Sequence, residues 1–224
     1  MTLNEATTLI AGQLKKELDI PFKLQLIERI HIWRSRLIKN SVDKDQRERK
    51  FFRQTVFIPM EETSEVPCCT SFPGCAISIT KSPLPKPLRA NAILFDYVGS
   101  VNGMNPFQET PSGFMTYMQE GKYSKKVIRY TWDSINVRVY GNQHLPMLRV
   151  EGIFDNPEEA AKLNCDLGNS TDCDFYNKEY PVTGDIMQLI IQSILQIDYN
   201  RGIVPASTEV PVSEDPETLK PKPF

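Results

Sequence analysis

The spacing of apolar residues changes twice along this chain, and these changes constrain its fold more than any other feature. Between residues 22 and 54 there is no proline or glycine, and apolar residues recur every three or four positions. From Thr55 they alternate with polar residues and are often β-branched or aromatic, and helical spacing returns after Asp155. The first pattern predicts amphipathic helices and the second half-buried strands. The sequence therefore predicts an α+β protein in which a β-rich insertion separates two helical parts.

Residues 1–54 predict a helical hairpin followed by a charged arm. A first helix is expected over residues 3–18, capped by Thr2 or Asn4. A second begins at Pro21, because proline fits the first turn of a helix, where its missing N–H costs no bond. The apolar face of this helix ends at the charged run that starts at Ser41. That run either continues as an exposed helix or forms a new helix capped by Ser41.

Residues 55–154 predict a small antiparallel β sandwich or barrel, because they contain short segments with the composition of strands. These segments are TVFIPM (55–60), CAISITK (75–81), AILFDYV (92–98), GFMTYM (113–118), KVIRYTW (126–132), INVRVYG (135–141) and LPMLRVEGIF (145–154). Asp133 and Ser134 lie between two alternating runs and predict a tight hairpin connection.

Residues 155–199 predict helices that complete the helical domain, and residues 200–224 an extended C-terminal arm. The segment from Asp155 to Glu159 combines a capping Asx residue, a proline and two carboxylates, which together favour a helix start. A last helix after Asp185 is apolar on nearly all sides and is expected to be buried on most of them. The final 25 residues contain five prolines, which exclude a helix or a central strand. They form either a disordered terminus or an arm that orders on an adjacent subunit.

The net charge of −2 excludes a global basic field. The charge is nevertheless uneven: residues 1–54 contain twelve Lys or Arg and seven Asp or Glu, while residues 55–224 contain fourteen and twenty-one. The two ends of the folded protein are therefore expected to differ in potential. The chain has no secretory signal pattern and no run of 18 apolar residues, so we expect synthesis in a reducing cytoplasm and no membrane partner.

The cysteines raise the possibility of a metal site. They are Cys68, Cys69, Cys75, Cys165 and Cys173. An odd number without a secretory signal predicts reduced thiols and not a disulfide framework, and the spacings lack the short gaps of a structural zinc site. An alternative function is a cytosolic metal-binding or regulatory binding protein that uses these two cysteine groups. The loop over residues 166–174 offers oxygen ligands but lacks the glutamate and glycine of a calcium loop. We expect no cofactor and no bound metal.

Catalytic signatures are absent from the sequence. It contains no GxxxxGK[ST], GxGxxG, HExxH or GxSxG motif, and its two histidines, His31 and His144, lie in a helix and a turn. The remaining enzyme hypothesis is an unfamiliar site around Asp96, Tyr97, Asp133 and Tyr140, although such residues are ordinary in sheets and loops. The expectation is that the protein is not an enzyme.

A basic cluster at the end of the helical arm could contact nucleic-acid phosphates. Its members are Arg47, Arg49, Lys50 and Arg53. Acidic residues are interleaved with them, so a helix surface laced with ion pairs is the alternative interpretation.

The order of elements resembles that of adaptor subunits that form rings beneath the portal of short-tailed bacteriophages. The segments PKPLRANAILFDYVGSVNG (85–103), GFMTYM, and VTGDIMQLIIQSILQIDYN (182–200) leading into GIVPASTEVPVSEDP (202–216) are similar to head-to-tail connector ring proteins of crAss-like phages. The similarity covers about residues 60–215.

This resemblance implies a virion subunit at the junction of portal and tail, made in the host cytoplasm. Rings of that family commonly contain twelve copies, contact the portal and neighbouring connector or tail proteins, and let DNA pass without sequence specificity. Arg47, Arg49, Lys50 and Arg53 would then face the channel. The residues that would pack the subunit core or a neighbouring copy are Ile186, Leu189, Ile190, Ile194 and Ile197. Residues 203–212 would strap across an adjoining chain through Ile203, Val204, Val210 and Val212.

Overall fold

The structure is a computed structural model that describes residues 1–62, 77–89, 93–111, 127–140, 145–168 and 173–200. For residues 198–200 it describes the backbone only. Its helices are α1 (Leu3–Gln13), α2 (Ile20–Lys44), α3 (Arg49–Phe52), α4 (Pro157–Asp166) and α5 (Gly184–Asn200), with a 3-10 turn at Gln46–Glu48. Its strands are β1 (Gln54–Glu62), β2 (Ile77–Thr80), β3 (Tyr97–Gly99), β4 (Gln108–Glu109), β5 (Arg129–Trp132), β6 (Val137–Tyr140) and β7 (Met147–Gly152).

Side-chain caps set the starts of the helices. Thr2 and Glu5 form a reciprocal capping box at α1. The helix ends earlier than predicted, at Gln13. Two residues later, Lys15 adopts a positive φ of 56°, which turns the chain out of the helix. The carboxylate of Asp19 caps α2 by accepting the N–H of Phe22 at 3.0 Å. The predicted Asx cap of α4 is Asn156, which accepts the N–H of Glu158 at 3.0 Å.

The charged arm begins as a continuation of α2 and then breaks at Asp45. Ser41 lies inside α2, which continues to Lys44. Asp45 caps the next turn instead, since its carboxylate accepts the N–H of Arg47 at 2.9 Å. Of the two alternatives for this run, the new helix capped by Ser41 is therefore wrong, and the continuing helix holds only as far as Lys44.

The described strands form one mixed sheet in the order β3-β7-β1-β2-β6-β5-β4. The pairs are antiparallel except for β4 and β5, which are parallel, so the prediction of a purely antiparallel sheet is wrong at this edge. The long strand β1 pairs with β7 over its first part and with β2 over its last three residues. The predicted strand GFMTYM lies outside the described residues.

The sheet nearly closes into a barrel, because the segment before β4 returns to β3 at the opposite edge. Gly99 and Pro106 form an antiparallel bridge, and Phe107 donates its N–H to the carbonyl oxygen of Val98 at 2.7 Å. A Cβ atom at Gly99 would lie 2.2 Å from the carbonyl oxygen of Asn105, so only glycine permits this approach. The α+β fold with an inserted barrel is thereby confirmed.

Two apolar clusters fill the described part of the molecule. One lies between α1, α2 and α5 and includes Ile153 and Tyr180 from the connections to the barrel. The other fills the barrel and reaches Ala160 of α4. The two clusters place a helical layer beside the barrel, and charged and polar side chains join these two parts.

Candidate functional site: the helix–barrel junction and the outer faces

Two arginines of the basic cluster are ion-paired with the barrel. The Nε atom of Arg49 contacts Asp96 beside β3, and both side chains are largely buried. Arg53 contacts Glu151 of β7 at 2.9 Å, and the buried carboxylate of Glu151 also contacts Arg149. These ion pairs fix the end of the helical arm to the barrel.

The other two cations of the cluster face outward. Arg47 and Lys50 are both exposed, and the Lys50 ammonium lies 4.9 Å from the centre of the Phe51 ring. The cluster predicted as a single basic surface thus divides into two cations that pair with the barrel, Arg49 and Arg53, and two others, Arg47 and Lys50; of the first two, Arg49 is buried and the Arg53 side chain is 44% exposed. Sequence spacing could not separate the two pairs, because their acidic partners lie far away in the chain.

A second polar junction surrounds Arg34 of α2, which is completely buried. Its guanidinium donates to the carbonyl oxygen of Phe154 at 2.8 Å and to that of Pro181 at 3.3 Å. It therefore joins α2 to the exit of the barrel and to the segment that precedes α5. A buried arginine keeps its charge, so these hydrogen bonds offset part of its desolvation cost. Sequence reasoning passed over Arg34, which nothing in the local pattern marks as buried.

His31 lies one turn before Arg34. Its Nδ1 atom is 2.6 Å from the hydroxyl of Tyr180, and its Nε2 atom lies 3.9 Å from Glu158. Burial, together with the nearby Arg34 charge, lowers the pKa of His31 from 6.5 to about 4. His31 is therefore a neutral, packed residue at pH 7, in a position that couples α2 to the segment before α5.

Glu158 extends this junction to α4. It accepts the Tyr176 hydroxyl at 2.8 Å and contacts the Lys162 ammonium at 2.7 Å. Burial raises the pKa of the Glu158 carboxyl, but hydrogen bonds from Lys162 and Tyr176 outweigh it, and the pKa is lowered overall. The segment 173–183 is thus tied to both α2 and α4.

The last helix has one exposed face. Ile186, Ile190 and Ile194 lie in the helical core, and Ile197 is half-buried. Leu189 is 49% exposed. The expectation that this helix is buried on most sides is therefore only partly met, because Gln188, Gln192 and Gln196 share the outer face with Leu189 at helical spacing.

A further apolar surface lies at the corner between α1 and α2. Leu18 is 96% exposed, Ile20 70% and Leu24 58%. Ile20 and Leu24 are one helical turn apart, so their side chains lie side by side. Clustered exposed apolar residues of this kind mark interaction surfaces.

The cysteine predictions divide into two parts. Cys165 and Cys173 form a disulfide with their Cα atoms 5.6 Å apart, so the expectation of reduced thiols is wrong for this pair. The seven intervening residues let the chain turn back on itself, which the count of cysteines could not reveal. Cys68, Cys69 and Cys75 lie outside the described residues. Within the described residues, no group of three or more His, Cys, Asp or Glu side chains could hold a metal ion.

The residues of the enzyme hypothesis do not form one cluster in the structure. Asp133 and Tyr140 line an open cleft of about 540 Å³ beside β5, whereas Asp96 and Tyr97 are not among its lining residues. Asp96 pairs with Arg49, and the Tyr97 hydroxyl donates to the carbonyl oxygen of Ser100 at 3.0 Å. Asp133 accepts the N–H groups of Ile135 and Asn136 and so closes the predicted hairpin turn. His144 and residues 169–172 of the supposed calcium loop lie outside the described part of the chain.

The charged clusters at the helix–barrel junction hold the protein's own parts together, as in a structural subunit. None of the described helices is long and apolar enough to cross a membrane. The chain belongs to a family of phage ring proteins: the crAss-like phage family described as phage tail ring protein 2 matches residues 15–201. It is thus a bacteriophage structural protein and a virion component of the tail-ring kind, a class that is typically non-enzymatic. Among curated proteins, a sequence search found no match.

Proposed function

We propose that the protein forms an oligomeric ring in the head-to-tail connector of a short-tailed, crAss-like phage, between the portal and the tail, and that it has no enzymatic activity. The family match over residues 15–201 is the observation that carries this proposal. A ring subunit needs two different lateral faces and distinct upper and lower faces. The helical layer beside a barrel, with unequal charge on the two parts of the chain, suits that requirement.

The ring is proposed to contain about twelve copies and to enclose a DNA conduit. Arg47 and Lys50, which are exposed, are the residues best placed to contact passing phosphates without sequence specificity. Arg49 and Arg53 would contribute less to the positive potential at the channel, because each already pairs with a carboxylate of the barrel. The division into a helical domain (1–54 with 155–199) and an inserted β domain (55–154) is supported by the two apolar clusters.

Contacts between copies are proposed to use the last helix and the residues that follow it. Leu189 on the outer face of α5 would pack against a neighbouring copy, while Ile186, Ile190 and Ile194 support that helix from within. Ile203, Val204, Val210 and Val212 would lie across the adjoining subunit. The portal protein and neighbouring connector or tail proteins would bind above and below the ring, after synthesis in the host cytoplasm.

Native mass spectrometry of the full chain, alone and with the portal protein of the same phage, tests this function. We expect a ring of about twelve copies that binds the portal oligomer. A closed dimer that does not bind the portal oligomer would contradict the proposal. A short duplex DNA of arbitrary sequence should bind the ring in a salt-dependent way.

A further inference from the structure

The outer side of α2 carries a mixed basic and apolar surface. Arg29, Ile32, Arg36 and Lys39 follow one another at spacings of three or four and therefore share one face, here called the basic face. Ile32 is 53% exposed, and Arg36 and Lys39 are also exposed. Over its length α2 contains six Lys or Arg and two Asp or Glu, and of these cations Arg34 is buried.

Residues 155–185 have the opposite charge, with eight Asp or Glu and two Lys. The exposed members from α4 and the following segment are here called the acidic surface: Glu159, Asp166, Asp174 and Glu179. They belong to one surface, because the disulfide joins Cys165 of α4 to Cys173 and the Tyr176 hydroxyl donates to Glu158. Lys162 is already paired with Glu158, so it neutralises little of this surface.

The two surfaces lie on opposite sides of α2. Tyr180 and Pro181, which belong to the negatively charged residues 155–185, contact His31 and Arg34 on the buried side of α2. The exposed cations of the basic face, Arg36 and Lys39, point away from that side and therefore away from the acidic surface of their own chain. Complementary charges that cannot meet within one molecule can meet between two.

We infer that the basic face of one copy docks on the acidic surface of the next copy, and that this contact closes the ring laterally. The inference rests on the proposed ring and names its interface. The contact is heterologous, since each copy offers two different surfaces, and such contacts generate rings when the rotation closes. Ile32 supplies apolar area next to the charges.

Charge reversal on each surface tests the interface. The variant R36E/K39E makes the basic face acidic, and D166K/E179K replaces two of the four carboxylates of the acidic surface by cations. Asp166 is the last residue of α4, where a cation is favourable to the helix dipole, so this change preserves the helix. K81E/R89E serves as the control, because it reverses two exposed charges outside both surfaces.

We expect each of the two interface variants to weaken ring formation about tenfold at low salt, while the control assembles like the wild type. Mixing the two interface variants in equal amounts should restore rings, and native mass spectrometry should find both chains in equal numbers. This result requires that the two surfaces meet, and it also shows that both variants are folded. The quadruple variant, with both surfaces exchanged, should assemble on its own.

Three outcomes would overturn the inference. If the wild type forms rings and neither reversal alters them, the interface is wrong and the proposed ring stands. If R36E/K39E loses DNA binding while its rings remain intact, the basic face contacts DNA and not a neighbouring copy. A wild-type chain that stays monomeric at all accessible concentrations would contradict both the ring and its interface.

Discussion

The Nδ1 atom of His31 lies 2.6 Å from the hydroxyl of Tyr180, a residue 149 positions further along the chain. The imidazole Nε2 faces Glu158 at 3.9 Å, which is too long for a hydrogen bond. Arg34 adds a positive charge nearby, and burial disfavours the imidazolium. The folded protein therefore favours the neutral form of His31.

The free energy of unfolding should fall as the pH drops below 6.5, because His31 then binds a proton in the unfolded chain but not in the folded protein. The folded pKa is about 4 and the ordinary value is 6.5, so the unfolded chain binds this proton at higher pH than the folded protein does. The contribution is fully present above pH 6.5 and is lost as pH falls towards 4, by about 3 kcal/mol in all. Urea unfolding at pH 7, 6, 5 and 4 measures it.

The variant His31→Gln is the matched control for this pH dependence. Glutamine can form a hydrogen bond with the Tyr180 hydroxyl and does not titrate. The difference in stability between wild type and variant at each pH therefore separates the contribution of the imidazole from that of the carboxylates. Parallel pH profiles for the two proteins would contradict the assignment.

Replacing Arg34 by alanine should destabilise the fold by about 3 kcal/mol, because it removes donors from two carbonyl groups and leaves a cavity. Arg34→Lys should cost less, since the ammonium can still reach one of these acceptors. Arg36→Ala, on the exposed side of α2, is the control and should change stability by less than about 0.5 kcal/mol. Chemical denaturation measures all three. Equal losses for Arg34→Ala and Arg36→Ala would contradict the junction described here.

The ion pair between Arg49 and Asp96 should show a measurable coupling energy. A double-mutant cycle with alanine at both positions is expected to give about 1 to 2 kcal/mol, because both side chains are largely buried. Lys86 and Asp155, which are 3.7 Å apart with the lysine 82% exposed, form the comparison pair. Their coupling should be below about 0.5 kcal/mol. A coupling at Arg49 and Asp96 no larger than this would mean that this ion pair does not help to hold the arm against the barrel.

Reduction of the disulfide should destabilise the protein. The bond between Cys165 and Cys173 closes a short loop, for which chain entropy predicts about 2.5 kcal/mol. Thermal unfolding with and without a phosphine reductant measures the change. C165S/C173S should unfold at the temperature of the reduced wild type and should not respond to the reductant. If that variant still responds, the effect originates from Cys68, Cys69 or Cys75.

Deleting residues 203–224 should weaken assembly and leave the folded monomer intact. We expect the described helical and barrel clusters to fold without this segment, so the thermal midpoint should shift by no more than a degree or two. Native mass spectrometry should find fewer complete rings. A truncated chain that assembles as well as the full chain would contradict the role of this segment as a strap.

The sequence alone determined the local structure and the class of fold. Helical and alternating periods located α2, α5 and most strands within a few residues, and short-range signals such as Pro21 and the Asx residue before Pro157 located helix starts. These features depend on neighbours within a few positions, which the sequence displays directly. The similarity to connector ring proteins likewise led to the coarse function that the family match supports.

The tertiary structure decided which charged residues bond to distant parts of the same chain and which face outward. Arg49 and Arg53 pair with Asp96 and Glu151, and Arg34 reaches Phe154, over separations that no periodicity encodes. The parallel pairing of β4 with β5 and the return of Phe107 to Val98 also required the folded barrel. The physical reason is common to all of these: burial and pairing depend on residues that are distant in the chain and adjacent only after folding.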